Sequence, residues 1–160
     1  MDALEEKAPV AAKRAPVLGA GWAAQAVVYG LITRGAQVTV LNCSDGKGRA
    51  LADDLGATYG GDMGALAAGS CDIPVNTVPT NRNDPTARLI DPATLTGSDT
   101  VMDINIHKAP TQLLIDAKAV RAMPIGGIRM LVLRGVFAFE LFSGHKAPVE
   151  IMQAAVGSGS

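Results

Sequence analysis

The chain has 160 residues, of which 48% are apolar, so it is long enough for one domain with a buried core. Its 14 basic and 15 acidic residues leave a net charge of −1, which argues against nucleic acid or an anionic membrane as a partner. The sequence has no run of about 18 apolar residues that would predict a transmembrane helix. Its two cysteines, Cys43 and Cys71, fit neither a disulfide framework nor a metal motif, so we expect a reduced, cytoplasmic protein without a metal site.

Short apolar runs alternate with helical patterns along the chain. The pattern predicts six strands, over residues 15–19, 37–41, 58–59, 72–76, 100–104 and 122–125. It predicts helices over residues 21–34, 46–55, 63–68, 111–119, 129–143 and 148–156. Because a crossover helix joins strands that run parallel, the sequence predicts an α/β fold, a doubly wound, mostly parallel sheet of about six strands with helices on both faces.

The ends and the loops are predicted from composition. Residues 1–14 are expected to be a polar lead-in containing the end of a helix at 3–6, residues 15–156 to be the folded domain, and residues 157–160 to be a flexible tail. A loop is predicted over residues 81–85. Ser44 is expected to cap the helix that follows it, and Asp91 to cap a short helical turn.

Three prolines lie inside predicted strands, namely Pro16, Pro74 and Pro124. A proline cannot donate a hydrogen bond to the strand ladder, so it is normally confined to a strand's first residue, an edge or a bulge. We therefore expect each strand to begin at or just after its proline. The alternative is a domain of marginal stability.

Residues 19–24 read Gly-Ala-Gly-Trp-Ala-Ala, a Gly-x-Gly-x-x-Ala pattern between a predicted strand and a predicted helix. The first glycine allows a tight turn, the second lets a pyrophosphate approach the backbone, and the small last residue lets the helix lie close to the sheet. Free N–H groups and the helix dipole would then face the phosphates. The pattern predicts a Rossmann-like dinucleotide site that includes Gly19, Ala20, Gly21, Trp22 and Ala23; the alternative is a purely structural turn. The Trp22 side chain either crowds the phosphates or points to solvent.

The end of the second predicted strand indicates which dinucleotide is bound. NAD-binding domains usually place a carboxylate there, whereas NADP-binding domains place a cation. Here Asn42 is neutral, and Lys47 and Arg49 follow closely enough to pair with a 2′-phosphate. NADP is therefore favoured over NAD, and the alternative is that both cations are ordinary solvated charges.

With these residues placed, the chain resembles the C-terminal half of shikimate dehydrogenases, including the forms fused to dehydroquinate dehydratase. The resemblance runs over nearly the whole chain and rests on Val-Leu-Gly-Ala-Gly at 17–21, Asn-Cys-Ser at 42–44, Val-Asn-Thr-Val-Pro at 75–79, Asp103 with Thr-Gln-Leu-Leu at 111–114, Gly-Ile-Arg-Met-Leu-Val at 127–132, Phe-Glu-Leu-Phe-Ser-Gly at 139–144 and Ala-Pro at 147–148. It implies an adenosine phosphate held by Asn42, Ser44 and Lys47. It also implies a nicotinamide bordered by Asn76, Thr77, Asp103, Gly127 and Met130.

The resemblance implies a reaction as well, the reversible hydride transfer between NADPH and 3-dehydroshikimate that gives shikimate in aromatic amino acid biosynthesis. In that family the catalytic Lys–Asp pair lies in an N-terminal domain that this sequence lacks. We therefore assign no catalytic residue, expect the small-molecule substrate to bind only with that domain, and expect the chain alone to be inactive. The apolar surface that such a domain would cover makes a homodimer possible, but the sequence does not predict one.

Several residues depart from the family pattern, at Trp22, Asn81, Arg82, Cys43, Ile106, Lys108 and Arg134. Cys43 stands where the family has an arginine that grips the 2′-phosphate, and Arg82 is a candidate for a replacement charge from another loop. These departures keep two alternatives open, a non-enzymatic or degenerate nucleotide-binding domain and half of an NAD-dependent quinate dehydrogenase. His107 could act as an acid near the nicotinamide, but a solvated loop histidine is the stronger interpretation, and His145 is expected at the surface.

Overall fold

The computed structural model describes residues 1–79, 87–107 and 109–157. Its centre is a sheet of six parallel strands in the order β3-β2-β1-β4-β5-β6. The strands are β1 Arg14–Leu18, β2 Gln37–Leu41, β3 Thr58–Tyr59, β4 Val75–Asn76, β5 Thr100–Asp103 and β6 Met123–Gly126. This order is that of a doubly wound α/β fold, in which the chain moves outward from β1 in one direction and from β4 in the other. The predicted fold class is confirmed.

The helices follow the strands as predicted, with small shifts at their ends. They are α1 Asp2–Glu5, α2 Trp22–Ile32, α3 Asp45–Leu55, α4 Gln112–Ala119, α5 Gly127–Ser143 and α6 Val149–Ala155. Residues 63–68, predicted as a weak helix, form only a 3-10 turn over Met63–Ala65. Asp91 caps the turn Pro92–Thr94 by accepting a hydrogen bond from the Ala93 amide, whereas Ser44 occupies the N-cap position of α3 without a capping hydrogen bond from its side chain. The loop predicted over 81–85 lies outside the described residues.

Two apolar cores form because successive residues of a strand point to opposite faces of the sheet. Val17 and Val40 belong to the core that packs against α2, and the next residues, Leu18 and Leu41, belong to the core that packs against α4. Both faces are therefore covered, which explains why the strands are apolar without alternation. In the described ranges no helix is long and apolar enough to cross a membrane.

The prolines show where the prediction of strand starts was wrong. β4 begins directly after Pro74, as expected, but β1 begins two residues before Pro16 and β6 one residue before Pro124. The carbonyls of Arg14 and Leu18 accept hydrogen bonds from the β4 side, so the backbone of Pro16 also faces β4, where pairing starts only at Val17. Pro124 lies on the edge strand. The missing N–H of Pro16 thus falls where the hydrogen-bond ladder is interrupted. The missing N–H of Pro124 falls on a strand with no neighbour on its outer side.

The first residues are more than a polar lead-in. Ala3, Leu4 and Val10 are buried in the core beside α2. Arg129 of α5 forms an ion pair of 2.6 Å with Glu6, which ties α1 to α5. This packing could not be predicted from the sequence, because a single helical turn is too short for its apolar residues to show a periodic pattern.

Candidate functional site

The predicted site residues are brought together at one edge of the sheet. Because all six strands are parallel, the loops after β1, β2, β4 and β5 and the start of α5 leave the sheet at its carboxyl end. β1 and β4 are neighbours in the sheet. The chain continues from β1 to β2 on one side and from β4 to β5 on the other. A crevice at such a point is where open α/β sheets bind ligands.

The turn after β1 requires glycine at position 19. Gly19 has φ +106°, and a Cβ there would lie 2.7 Å from Oγ1 of Thr77. Its N–H donates to the Leu41 carbonyl at 2.8 Å, which holds the turn against the end of β2. Thr77 is fixed in turn by its own hydroxyl, which donates to the Leu18 carbonyl at 2.6 Å. The tight turn is therefore built between the ends of three strands.

The start of α2 presents open backbone. Gly21 is the N-cap, and a Cβ added there would meet nothing within 4 Å. Among the residues that the structure describes, none accepts a hydrogen bond from the N–H groups of residues 20–23. The Trp22 side chain is 89% exposed, so the indole points to solvent and leaves the turn open. Unpaired N–H groups at a helix start can receive an anionic phosphate.

The loop after β2 brings Asn42, Ser44 and Lys47 to the start of α3. Asn42 is half-buried and donates from Nδ2 to the Ser44 carbonyl at 2.8 Å, so its amide shapes the loop. Ser44 and Lys47 are exposed at the first turn of the helix. A hydroxyl, a cation and the helix dipole there form a surface suited to an anion.

Arg49, the other predicted cation of this region, is already engaged. It lies 3.5 Å from Asp45 and 4.7 Å from the centre of the Tyr59 ring. Tyr59 donates its hydroxyl hydrogen bond to Asp45, which lowers the pKa of that carboxyl and raises the pKa of Tyr59. Sequence reasoning missed Asp45 and Tyr59, because the only signal was a carboxylate beside the capping serine.

A buried polar network joins the loops after β4 and β5. Asp103 is 1% exposed, and its Oδ1 accepts from Asn76 at 3.2 Å and from the backbone and side chain of Asn105. Its Oδ2 accepts from the Thr111 hydroxyl at 2.6 Å. Asp103 thus holds two site loops and the start of α4 together. Asn105, which the sequence analysis did not single out, also donates to the Val78 carbonyl at 2.8 Å.

The start of α5 packs closely on the loop after β5. A Cβ at Gly127 would lie 2.4 Å from the Ile104 carbonyl oxygen, so only glycine lets the helix begin there. Met130 is half-buried one turn later and packs against the core beside α2. His107 is half-buried near the same loop, and His145 is exposed at the far end of α5 with Nδ1 2.7 Å from the Ser143 carbonyl. No group of three metal-ligating side chains occurs in the described parts of the chain.

These features define a Rossmann-like doubly wound α/β domain with an open glycine turn at its switch point. A family model described as the C-terminal domain of shikimate 5′-dehydrogenase matches residues 127–156. The shikimate dehydrogenase (NADP(+)) of Methanothrix thermoacetophila is 38% identical over 142 residues, which cover 88% of this chain and 52% of that protein. The Thermus thermophilus shikimate 5-dehydrogenase in complex with NADP(H) and shikimate superposes with a TM-score of 0.87 at 27% identity, over 99% of this chain and 60% of the other.

A quinate dehydrogenase from Corynebacterium glutamicum in complex with NAD is also similar, with a TM-score of 0.80 at 29% identity over 95% of this chain and 57% of that one. The chain is similar to shikimate dehydrogenases over nearly its whole length, and to their C-terminal domain at residues 127–156. It spans about half the length of the curated relatives that it matches. The resemblance expected from the motifs is confirmed.

Proposed function

We propose that this chain binds NADP(H) at the carboxyl edge of its sheet. The pyrophosphate would lie on the turn at residues 19–24, on the N–H groups of residues 20–23, because the Gly19 N–H already donates to the Leu41 carbonyl. The observation that carries this proposal is the open start of α2, where Gly21 meets nothing within 4 Å and the indole of Trp22 is 89% exposed. These N–H groups have no partner within α2 and no acceptor among the described residues, so a phosphate can take them.

The adenosine 2′-phosphate would lie at the start of α3, on Ser44 and Lys47 beside Asn42. Lys47 is exposed and two residues inside the helix, so its ammonium can reach an anion on the first turn. The nicotinamide would lie on the other side of β1, bordered by Asn76, Thr77 and the start of α5 at Gly127. Asp103 would act there by positioning these loops, because the described contacts already use both of its oxygens.

In a complete protein we propose the reversible reaction of a shikimate dehydrogenase. The bound nicotinamide would supply a hydride to the C3 carbonyl of 3-dehydroshikimate, giving shikimate. This chain would bind and orient the dinucleotide, and proton transfer and substrate binding would come from a further domain. The relatives are about twice as long as the matched segment, which supports that division.

Titration calorimetry with NADPH and NADH on this chain tests the proposal. We expect saturable binding of NADPH, tighter than that of NADH, because Lys47 and the start of α3 favour the additional phosphate. A chain that bound neither nucleotide would instead be a degenerate domain, which is the alternative that the substitutions at Trp22 and Cys43 suggest.

A second candidate is the dinucleotide-binding half of an NAD-dependent quinate dehydrogenase. The specific observation in its favour is the lack of charge at Cys43, together with the engagement of Arg49 by Asp45 and Tyr59. The same titration decides between the two, because this candidate requires NADH to bind at least as tightly as NADPH.

We also propose a cytoplasmic location and self-association of the isolated chain. Both cysteines are free thiols, which fits a reducing compartment. Apolar side chains are exposed on α5 and α6, at Phe137, Phe139, Leu141, Phe142 and Ile151. Light scattering after gel filtration tests the dimer, which a monomeric mass at micromolar concentration would exclude.

A further inference from the structure

A carboxylate lies beside the position proposed for the 2′-phosphate. Asp45 is the first residue of α3, directly after Ser44 and two residues before Lys47. A 2′-phosphate carries about two negative charges at neutral pH, so a carboxylate free to turn toward it would weaken NADPH binding by repulsion. NADH lacks this phosphate and would be little affected.

The structure holds Asp45 on the side of the loop that faces β3. The Tyr59 hydroxyl donates to one carboxylate oxygen, and Arg49 approaches the other at 3.5 Å. The Tyr59 ring is itself fixed, because it packs so closely on α3 that a Cβ at Gly48 would lie 2.4 Å from the ring. The same hydroxyl lies 3.3 Å from the Asn42 carbonyl oxygen, which links the tyrosine to the end of β2.

We propose that Tyr59 determines coenzyme selectivity by holding Asp45 away from the 2′-phosphate, with Arg49 neutralising the carboxylate. Tyr59 is thus a positioning residue that acts through Asp45. The inference rests on the proposed binding of NADP(H) to this chain. It explains how this loop, in which Cys43 is uncharged and Arg49 is paired with Asp45, would favour the phosphorylated coenzyme, because a tethered and neutralised Asp45 leaves the charge of Lys47 uncompensated.

Tyr59→Phe tests the inference, because it removes the hydroxyl and keeps the ring that packs on Gly48. We expect the ratio of the NADH to the NADPH dissociation constant to fall about two- to fivefold, the range for a partly exposed charge interaction. NADH affinity itself should change little. The fall should shrink when the titration is repeated at high salt, because screening weakens the repulsion.

Two further variants make the result specific. In an Asp45→Asn background the tyrosine has no charge to hold, so Tyr59→Phe should leave the ratio unchanged. Tyr29→Phe is the matched control, because Tyr29 is exposed on α2 and its hydroxyl makes no hydrogen bond to any described residue. Thermal melts check that all variants fold.

An unchanged ratio in Tyr59→Phe, with NADPH still bound by the wild-type chain, would overturn the selectivity role and leave the proposed function standing. An equal fall in the Asp45→Asn background would also overturn it, because the effect would then not act through the carboxylate. Failure of the wild-type chain to bind either nucleotide would overturn both proposals.

Discussion

Gly19 and Gly21 belong to one motif, yet their surroundings give them different tasks. At position 19 a side chain is excluded both by φ +106° and by Thr77, whose Oγ1 would lie 2.7 Å from a Cβ. At position 21 the backbone is ordinary, with φ −90°, and the space beside it is open. The first glycine therefore serves the fold, and the second leaves space for the proposed ligand.

Gly19→Ala and Gly21→Ala separate these tasks. We expect Gly19→Ala to lower the free energy of unfolding by about 1–3 kcal/mol, because it forces a left-handed residue against Thr77. Gly21→Ala should cost less stability than Gly19→Ala, because Gly21 is an N-cap with an ordinary φ, and it should weaken NADPH binding by about tenfold, or 1.4 kcal/mol, because its methyl occupies the space of the pyrophosphate. Urea unfolding and calorimetry on the two variants measure this difference. Equal losses of stability would contradict it.

Much of the candidate site could be predicted from individual residues, and the residues that were missed share a physical reason. Glycines and strand-end polar residues were found because backbone geometry and parallel strands bring them to one edge. Asp45 and Tyr59 were missed because they are 14 residues apart and meet only through the pairing of β2 with β3. Whether the Trp22 indole would cover the turn also depended on its rotamer, which sequence does not specify.

At the scale of elements, an ion pair compensates for the interrupted ladder between β1 and β4. Pairing of these strands starts only at Val17, after Pro16. Below it, the Arg14 amide and guanidinium both donate to Asp72 just before β4, with the salt bridge at 3.0 Å. These bonds lower the pKa of Asp72 to about 2. The positions of the strands were predictable from apolar runs, but this side-chain link was not, because Arg14 and Asp72 are distant in sequence.

Asp72→Asn tests the contribution of the link to stability. The pKa of Asp72 is lower in the folded chain than in the unfolded one, so its stabilisation is present above about pH 4 and is lost as pH falls toward 2. Because both groups are partly exposed, we expect the variant to lose only about 1 kcal/mol at pH 7. The difference from wild type should shrink as urea titrations are taken from pH 5 to pH 3.

Asp53→Asn is the control for this titration. Asp53 is exposed on α3 and forms no ion pair with any residue in the described ranges, so its stability difference should be near zero at every pH. A loss of stability in Asp72→Asn that did not change with pH would have a different cause. It would mean that the hydrogen bond from the Arg14 backbone amide to Asp72, and not the charge of Asp72, holds the two segments together.

At the scale of the whole molecule, the carboxyl edge of the sheet and the last two helices differ in how completely their side chains are covered. The loops at the carboxyl edge are locked by Asp103, and the turn is open at Gly21. α5 and α6 expose large apolar side chains to solvent. Composition alone could not reveal this imbalance, because total apolar content does not say which residues remain uncovered.

We therefore expect the 160-residue chain to bind NADPH without turning over shikimate. Asp103, the buried carboxylate of the crevice, already accepts hydrogen bonds at both oxygens from described residues, so it is a poor acceptor for a substrate proton. Among the described residues of the loop after β5, His107 is a further candidate for that role. Absorbance at 340 nm with shikimate and NADP+ should stay flat at an enzyme concentration that gives saturable NADPH binding by calorimetry. A steady rise that disappears in His107→Ala would show instead that this chain carries its own proton acceptor, and the division of labour proposed for the two domains would be wrong.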